Sequence, residues 1–304
     1  MSSEQFNIGY ANADVYEDIL PPHYYQGTED VDLIAALLHD KLGPPPTEPT
    51  AQVLDLGCGP GRITTVLAPY AAALTGTDKS VGMIGKFERR FPTATARCED
   101  TETIVHALHT EGRARTFDII GAFWSMSYPL LECFEDTTAD GVVVTTDPDT
   151  GRRRAERLID HLVTLLAPGG HLIMLFFDAH TAEQRLVTKL WERIAPFPGT
   201  GRDYTWRLLE QGLLDAEARG HGILHHTRLP GVAVAESDQA ARDWFLTGHL
   251  NSYAGLSEDP EVHQAIADFT AQHRQPDGRI MIPSGVHLVH FHALGHHNLL
   301  PTTA

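Results

Sequence analysis

Apolar strand segments alternate with helical segments between residues 51 and 177, and this alternation is the strongest constraint on the fold. The pattern predicts helices between five strands, which lie at 51–56, 72–77, 93–98, 117–123 and 171–177. Repeated strand–helix units build a parallel sheet that is covered by helices on both faces. We therefore expect an α/β fold with a doubly wound sheet.

The composition argues against several classes of function. The formal net charge of -17 disfavours a nucleic-acid partner, because phosphate binding relies on concentrated Lys and Arg. The chain starts with no basic and apolar leader and holds no apolar run of the ~20 residues that span a membrane. Cys58, Cys98 and Cys133 are scattered, and an odd number cannot form a closed set of disulfides. We expect a cytoplasmic protein without a membrane partner, either a monomer or a homodimer.

A glycine-rich loop joins the first strand to the first helix, in the sequence Asp55-Leu-Gly57-Cys-Gly59-Pro-Gly61. A doubly wound sheet binds its nucleotide at this position. Glycine lets the backbone turn tightly and approach a ligand without a clash from Cβ. Arg62 stands where the dinucleotide pattern GxGxxG needs its third glycine, which disfavours a nicotinamide dehydrogenase.

The loop resembles motif I of the class I (Rossmann-like) S-adenosylmethionine-dependent methyltransferases, whose form is (D/E)xGxGxG. Further markers of the small-molecule members of that family follow in the family's order, at Asp78, at Phe117-Asp-Ile-Ile120 and at Leu165-Leu-Ala-Pro-Gly-Gly170. The resemblance extends over residues 53–177. It implies that S-adenosyl-L-methionine is the cofactor and S-adenosyl-L-homocysteine its product.

The resemblance also implies a set of cofactor-binding residues. The glycine loop holds the methionine part, and Asp78 accepts hydrogen bonds from the ribose hydroxyls. Met83 packs on the adenine, whose amino group is bound at Glu99-Asp100. The residues predicted to bind the cofactor are Tyr25, Asp55, Gly57, Cys58, Gly59, Gly61, Asp78, Lys79, Met83, Glu99, Asp100, Phe123 and Trp124.

The elements predicted outside residues 53–177 complete the expected layout. It implies a seven-stranded sheet that is mostly parallel, with an antiparallel last strand and helical cap insertions. Residues 1–50 are expected to form an N-terminal lid helix, opened by a Thr28 cap, and a Pro-rich connector. Residues 51–180 form the Rossmann-like core that binds the cofactor. Residues 181–304 form a helical substrate cap with the last two strands, at 222–229 and 286–293.

An insertion follows the fourth strand, at residues 140–151. Its β-branched run, followed by Asp147-Pro-Asp149-Thr-Gly151, predicts a hairpin arm near the mouth of the crevice. A lid and a dimer contact are both compatible with this pattern.

Methyl transfer is an in-line displacement at a carbon that the sulfonium already activates. The protein has to align the acceptor, exclude water and remove a proton, for which histidine is the natural base near neutral pH. His180 and His249 are the predicted catalytic residues. Aromatic side chains near the carboxyl ends of the strands and in the cap are predicted to bind the acceptor, namely Tyr128, Trp206, Trp244 and Tyr253.

These residues predict a methyltransferase that acts on oxygen or nitrogen of a small molecule, in specialised (natural-product) metabolism by family analogy. Two alternatives stay open. The first is a metal-assisted C-methyltransferase acting on a 2-oxo acid, with His180, His249 and His287 as candidate ligands. The second is a regulatory protein that binds the cofactor without turnover.

Overall fold

The structure is a computed structural model that describes residues 13–138, 141–144, 147–194, 202–251 and 253–295. Its strands are β1 (His23–Tyr25), β2 (Thr28–Glu29), β3 (Ala51–Leu56), β4 (Ala71–Asp78), β5 (Thr95–Cys98), β6 (Phe117–Phe123), β7 (Glu135–Thr138), β8 (Gly141–Val144), β9 (Leu166–Phe177), β10 (Gly222–Ala235) and β11 (Ile280–Ala293). A single 9-stranded mixed sheet has the order β2-β1-β10-β11-β9-β6-β3-β4-β5, and β7 pairs with β8 in a separate hairpin.

Helices connect these strands. They are α1 (Ala13–Ile19), α2 (Asp30–Leu42), α3 (Thr64–Leu67), α4 (Val81–Arg90), α5 (Thr101–Thr110), α6 (Ser127–Leu131), α7 (Pro148–Leu165), α8 (Ala182–Trp191), α9 (Asp203–Ala218), α10 (Asp238–Asp243), which continues into a π-helical turn (Trp244–His249), α11 (Ala254–Ser257) and α12 (Pro260–His273). Within the described ranges, no helix is long and apolar enough to cross a membrane.

The parallel half of the sheet follows the predicted alternation. Each of the neighbouring pairs β9·β6, β6·β3, β3·β4 and β4·β5 is parallel. β11 lies between β9 and β10 and runs antiparallel to both, which confirms the expected direction of the last strand. The central strands are apolar on both faces because helices cover both sides, and Val53 and Leu54 are consequently inaccessible to solvent.

The prediction of seven strands was wrong, because β1 and β2 extend the sheet beyond β10. The sequence predicts that β10 ends at Leu229, since Pro230 cannot donate a ladder hydrogen bond. In the structure β10 continues through Pro230 to Ala235. This added length offers an edge on which β1 pairs antiparallel, with His23 opposite Ala233.

The N-terminal segment also differs from its prediction. Thr28 does not cap a helix but belongs to β2, which pairs with β1. Gln26 and Gly27, both with positive φ (53° and 85°), make the tight turn between the two strands. α2 therefore begins at Asp30, and α1 precedes the strands.

The structure has a hairpin after the fourth strand, but its strands β7 and β8 span residues 135–144, so only β8 lies within the predicted insertion at 140–151. Residues 139–140 and 145–146 of this arm lie outside the described residues. The Asp147-Pro148 segment starts α7 and does not form the hairpin turn. The Asp147 carboxylate accepts hydrogen bonds from the backbone N–H groups of Asp149 and Thr150, which makes it the N-cap of α7.

The cap has a hydrophobic core of its own. Its buried side chains come from α8, from the helices after β10, and from the parts of β10 and β11 that extend past the parallel strands. They include Leu190, Phe245, Ile266 and Ile282. This packing fixes the cap over the carboxyl ends of the parallel strands, where the site lies.

Candidate active site

A cavity of about 490 Å³ opens at the carboxyl ends of β3, β4 and β6. A doubly wound sheet binds ligands at this edge. The cavity is enclosed by the glycine loop, the N-terminal segment and the cap. The predicted site residues that line it are Asp55, Gly57, Cys58, Gly59, Asp78, Lys79, Met83, Asp100, Phe123, Trp124, Tyr128, Trp244 and His249.

The glycine loop is held in a conformation that only glycine adopts easily. Gly57 has φ +64°, and a Cβ built on it would stand 2.3 Å from the Cβ of Ser125. Ser125 is itself fixed there, because its hydroxyl donates a 2.6 Å hydrogen bond to the carbonyl of Leu56. A residue with a side chain could therefore not replace Gly57 without moving Ser125.

Asp55 lies at the end of β3 and is only 1% exposed. The hydroxyl of Thr64 donates a 2.5 Å hydrogen bond to its Oδ2. Its Oδ1 is buried without a hydrogen-bond partner among the described residues. Burial raises the pKa of Asp55 to about 7, in spite of the Thr64 bond and with a further contribution from the charge of Asp78. An unpartnered carboxylate oxygen of this kind fits a cationic ligand.

Asp78, at the end of β4, binds the glycine loop directly. Its carboxylate accepts a 3.0 Å hydrogen bond from the N–H of Gly59 and a 2.8 Å bond from the N–H of Ser80. Burial raises the pKa of Asp78 against these two bonds. The remaining lone pairs of its oxygens are available to hydroxyl groups of a ligand.

The acidic pair after β5 divides into two roles. Asp100 lines the cavity, but its carboxylate also caps α5 by accepting hydrogen bonds from the N–H and the hydroxyl of Thr103. Glu99 forms an ion pair with Arg97 at 2.9 Å and is not part of the cavity lining. The structure thus brings one of the two predicted adenine-site acids to the cavity.

Two other predicted cofactor residues lie behind the cavity wall. Tyr25 is 1% exposed on β1, with its ring 5.9 Å from that of Trp124. Gly61 has φ +85° and packs so closely on Phe91 that a Cβ would meet its ring at 2.5 Å. Both residues support the wall and do not line it.

A buried carboxylate that the sequence analysis missed ties three segments together. Asp30, at the start of α2, accepts a 3.0 Å hydrogen bond from the indole N–H of Trp124. The guanidinium of Arg62 binds both oxygens of Asp30, with Nη1–Oδ1 at 2.7 Å. Arg62, which replaces the third glycine of the dinucleotide motif, therefore anchors the glycine loop to the N-terminal segment. Trp124 has φ +60°, an uncommon conformation for this residue type that the bridge helps to hold.

The other end of the cavity is aromatic. Five rings that line it follow one another in a closed circuit, which we call the aromatic enclosure. Its members, with the distance from each ring centroid to the next, are His23 (5.6 Å to Trp124), Trp124 (5.1 Å to Phe177), Phe177 (6.5 Å to His249), His249 (4.6 Å to Trp244) and Trp244 (5.7 Å back to His23).

Glu183 on α8 supports the enclosure from behind and was also missed. It is 1% exposed, and its Oε1 accepts a 2.8 Å bond from the indole N–H of Trp244. The same oxygen lies 3.0 Å from Nε2 of His249. Burial alone would raise the pKa of Glu183, but the hydrogen bond and charge of His249 hold it well below its ordinary value. A signal existed in the sequence, because Glu183 shares one helical face with the apolar residues Val187 and Leu190.

Comparison with known proteins identifies the family. A family model described as a methyltransferase domain matches residues 28–214, which is more than half of the chain. The chain belongs to this methyltransferase family. With the glycine loop and the strand-end acids in place, it is a class I S-adenosylmethionine-dependent methyltransferase.

Individual relatives of the methyltransferase are distant. A trans-aconitate 2-methyltransferase of Methylobacterium nodulans is 47% identical over 55 residues, which are 17% of this chain and 21% of that relative. The YcgJ protein of Bacillus subtilis has a TM-score of 0.50 at 11% identity, covering 88% of this chain and 98% of its own. The [4+2]-cyclase SpnF has the same TM-score at 15% identity, and the match covers 96% of this chain and 95% of the cyclase. The two structures share the fold and carry no statement about the acceptor.

Four predicted residues of the methyltransferase lie outside the cavity lining. His180 is half exposed, with its Nε2 3.2 Å from a carboxylate oxygen of Asp203. Trp206 stacks on His287 with ring centroids 3.9 Å apart. Tyr253 stacks on Trp191, which is itself in the cavity wall, at 6.1 Å. The fold thus places Trp206, His180 and His287 outside the cavity wall.

The three histidines that were candidate metal ligands are not brought together. His249 lies in the cavity wall beside Glu183, whereas His287 lies 4.0 Å from Asp178 and outside that wall. Across the described ranges, no group of three or more His, Cys, Asp or Glu side chains could hold a metal ion. The structure therefore supplies no observation that favours the metal-assisted alternative.

Proposed function

We propose that the methyltransferase moves the methyl group of S-adenosylmethionine to an oxygen or nitrogen of a small molecule held in the aromatic enclosure. The observation that carries this proposal is a single cavity, which runs from the glycine loop and Asp55 to the five rings. One end has the acids and glycines of a cofactor site, and the other has the apolar walls of a small-molecule site. A role in natural-product metabolism rests on the family resemblance alone and stays a prediction.

The cofactor half would use residues already described. The N–H groups and glycines of the loop, together with Asp55, would hold the charged methionine part, and Asp78 would accept hydrogen bonds from the ribose. Met83 is fully buried and would pack beside the base. When bound, S-adenosylmethionine supplies a methyl group on a sulfonium, whose sulfur is a good leaving group.

The acceptor half has a histidine placed to take up a proton. The carboxylate of Glu183 can only accept a hydrogen bond when ionised, so Nε2 of His249 carries the hydrogen. Nδ1 of His249 is then the basic nitrogen. A buried carboxylate that orients an imidazole in this way is a recurrent arrangement for a general base. We propose His249 as the base and leave His180 out of the mechanism, since its side chain lies outside the cavity wall.

The short likeness to a trans-aconitate methyltransferase does not carry that substrate to this chain. The acid named there is a tricarboxylate, which needs free cationic groups. Of the basic residues in the cavity lining, Arg62 is bound to Asp30, Lys79 lies 2.9 Å from Glu132, and the positive charge of Arg202 acts on Glu135. Carboxylates, by contrast, line much of the wall, among them Glu17, Glu29, Asp55, Asp78, Glu132 and Glu135. This balance favours neutral or cationic acceptors.

A mutational pair tests the base. His249→Gln should lower kcat by about 10²-fold or more, the usual contribution of general-base catalysis, while S-adenosylhomocysteine affinity stays unchanged. His180→Gln is the matched control and should keep normal turnover. Both variants are assayed for transfer of labelled methyl groups to a panel of small alcohols, phenols and amines. Normal turnover by His249→Gln would remove His249 as the base.

A further inference from the structure

The aromatic enclosure has the dimensions of a cation-binding site. Successive ring centroids are 4.6 to 6.5 Å apart. Four of the five neighbouring pairs have centroids closer together than the ~6 Å reach of a cation–π interaction, so a small cation in this part of the cavity can contact two rings at once. Two of the five rings are tryptophans, which bind cations most strongly among aromatic side chains.

Two buried carboxylates stand behind these tryptophans. Trp124 donates its indole N–H to Asp30, and Trp244 donates its own to Glu183. Asp30 is 0% and Glu183 1% exposed. Burial alone would raise the pKa of each acid. Arg62 nevertheless holds the pKa of Asp30 below its ordinary value, and His249 holds the pKa of Glu183 below its ordinary value. Both carboxylates are therefore ionised at neutral pH and make the inner face of the enclosure electronegative.

The guanidinium of Arg62, beside Asp30, is already in an ion pair. Arg62 binds both oxygens of Asp30, so the charges of Arg62 and Asp30 offset each other. Glu183 has no Lys or Arg partner among the described residues, and its Oε1 contacts the indole N–H of Trp244 and the imidazole of His249. In the base form of His249 that the proposed mechanism requires, Asp30, Glu183 and Arg62 together carry one net negative charge. A ligand with one positive charge would balance it.

His23 adds a hydrogen-bond acceptor. Its Nδ1 lies 2.7 Å from the carbonyl of Pro21, which can only accept, so Nδ1 carries the hydrogen and Nε2 has the lone pair. Nε2 has no hydrogen-bond partner in the described part of the chain. The ring of His23 lines the cavity. Burial lowers the pKa of His23 against the charges of Glu183 and Asp30, and the ring is a neutral acceptor at pH 7.

We infer that the acceptor is a protonated amine, bound with its ammonium group inside the aromatic enclosure, and that the enzyme is an N-methyltransferase. This inference rests on the proposed function and narrows its choice of oxygen or nitrogen. Rings and carboxylates attract the positive charge, and Nε2 of His23 accepts an N–H hydrogen bond. An alcohol would gain only the hydrogen bond, and a carboxylate would be repelled.

The same groups account for the reaction steps. Nδ1 of His249 takes one proton from the ammonium, which frees the nitrogen lone pair. The lone pair forms the new N–C bond to the methyl group as the C–S bond breaks, and the C–S electron pair stays on sulfur. The products are the methylated ammonium and S-adenosylhomocysteine, and His249 passes its proton to solvent. Transfer of the proton to His249 offsets the charge of Glu183 while the neutral amine reacts.

A matched set of probes tests the inference. Benzylamine, benzyl alcohol and benzoic acid share one ring and differ in the charge of the polar group. Their affinities are measured by calorimetry at pH 7 with the enzyme saturated by S-adenosylhomocysteine. Benzylammonium should bind at least tenfold more tightly than benzyl alcohol, and benzoate should not bind. Weaker or equal binding of benzylammonium, or no binding of it at millimolar concentration, overturns the inference.

Two variants test whether Glu183 and Trp244 are responsible for the preference for benzylammonium. Glu183→Gln removes the charge, and Trp244→Phe keeps a ring but loses the N–H and the stronger cation–π face. Each should weaken benzylammonium about tenfold and leave benzyl alcohol unchanged, whereas the exposed control Asp160→Asn should change neither. Retained S-adenosylhomocysteine binding shows that each variant is folded. Equal losses for amine and alcohol in both variants contradict the inference.

The two levels of proposal can fail separately. Methyl transfer to alcohols but to no amine would defeat the amine inference and leave the proposed function intact. An enzyme that binds S-adenosylhomocysteine but transfers methyl groups to neither class would defeat the proposed function itself.

Discussion

Asp55 is the residue whose environment says most about the ligand. Its carboxylate is buried, half partnered by Thr64, and has its pKa raised to about 7. In the free protein the proton is therefore held up to neutral pH. A bound sulfonium and ammonium favour the ionised form, so binding has to release that proton whenever the pH lies below the raised pKa.

This linkage predicts a pH-dependent affinity. Below pH 7 the free protein must lose a proton to bind, so the affinity for S-adenosylmethionine should fall by up to about tenfold between pH 7 and pH 6. Above pH 8 the affinity should be level with respect to this group. Asp55→Asn cannot titrate, and calorimetry should show a weaker affinity for it without that slope. A wild-type affinity that rises on acidification would contradict the assigned role.

At this scale the sequence predicted the residues that belong to a motif and missed those defined by tertiary contact. Asp55 and Asp78 follow apolar strands in a recognisable loop pattern, and both lie in the cavity. Asp30 and Glu183 sit in the first turns of helices, where acids are common for local reasons. Only the folded chain shows that indole N–H groups meet both.

Among the elements, the bridge from Arg62 through Asp30 to Trp124 joins α2, the glycine loop and the end of β6. Removing the carboxylate leaves a largely buried guanidinium without its partner. Asp30→Ala should therefore lower the free energy of unfolding by about 3 kcal/mol, in the range found for broken buried ion pairs. Urea unfolding measures the change.

The control for this prediction is an ion pair on the surface. Asp160 and Arg219 are 2.7 Å apart, and both side chains are about half exposed. Asp160→Asn should cost less than 1 kcal/mol, as exposed pairs do. Similar decreases in the free energy of unfolding of the two variants would mean that the Asp30 bridge stabilises the fold no more than a surface ion pair does.

Strand positions were predictable where a run of apolar residues continued without interruption. Residues 51–56 and 117–123 form two of the predicted strands with the predicted bounds. β1 and β2 were not predicted because they are only 3 and 2 residues long. β1 also pairs with the part of β10 that follows Pro230, which the prediction did not include. Proline normally interrupts a strand, so the sequence suggested an end where the chain continues.

At the scale of the whole molecule, the fold indicates the methyl donor, and the aromatic enclosure is the proposed site of the acceptor. The YcgJ protein and SpnF share the fold at 11% and 15% identity. SpnF is named a [4+2]-cyclase and not a methyltransferase. Fold alone therefore does not determine the chemistry of the second substrate. We propose that in this enzyme that information lies in five rings, which come from the N-terminal strand, two sheet strand ends and the π-helical turn of the cap.

The net charge of -17 fits the same division. The carboxylates that line the cavity and support the enclosure are part of this excess, and an electronegative mouth raises the local concentration of cations. Neither effect could be read from composition alone, because solubility accounts for an acidic surface equally well.

The most direct test of the account is calorimetric titration of S-adenosylhomocysteine into the wild-type protein, Asp55→Ala and Asp78→Ala. The account predicts binding at one site per chain, weakened by ~1–3 kcal/mol in each variant through loss of charged hydrogen bonds. That loss corresponds to about 5- to 150-fold in the dissociation constant. Absent binding to the wild type, or unchanged affinity in both variants, would contradict the cofactor site on which everything else depends.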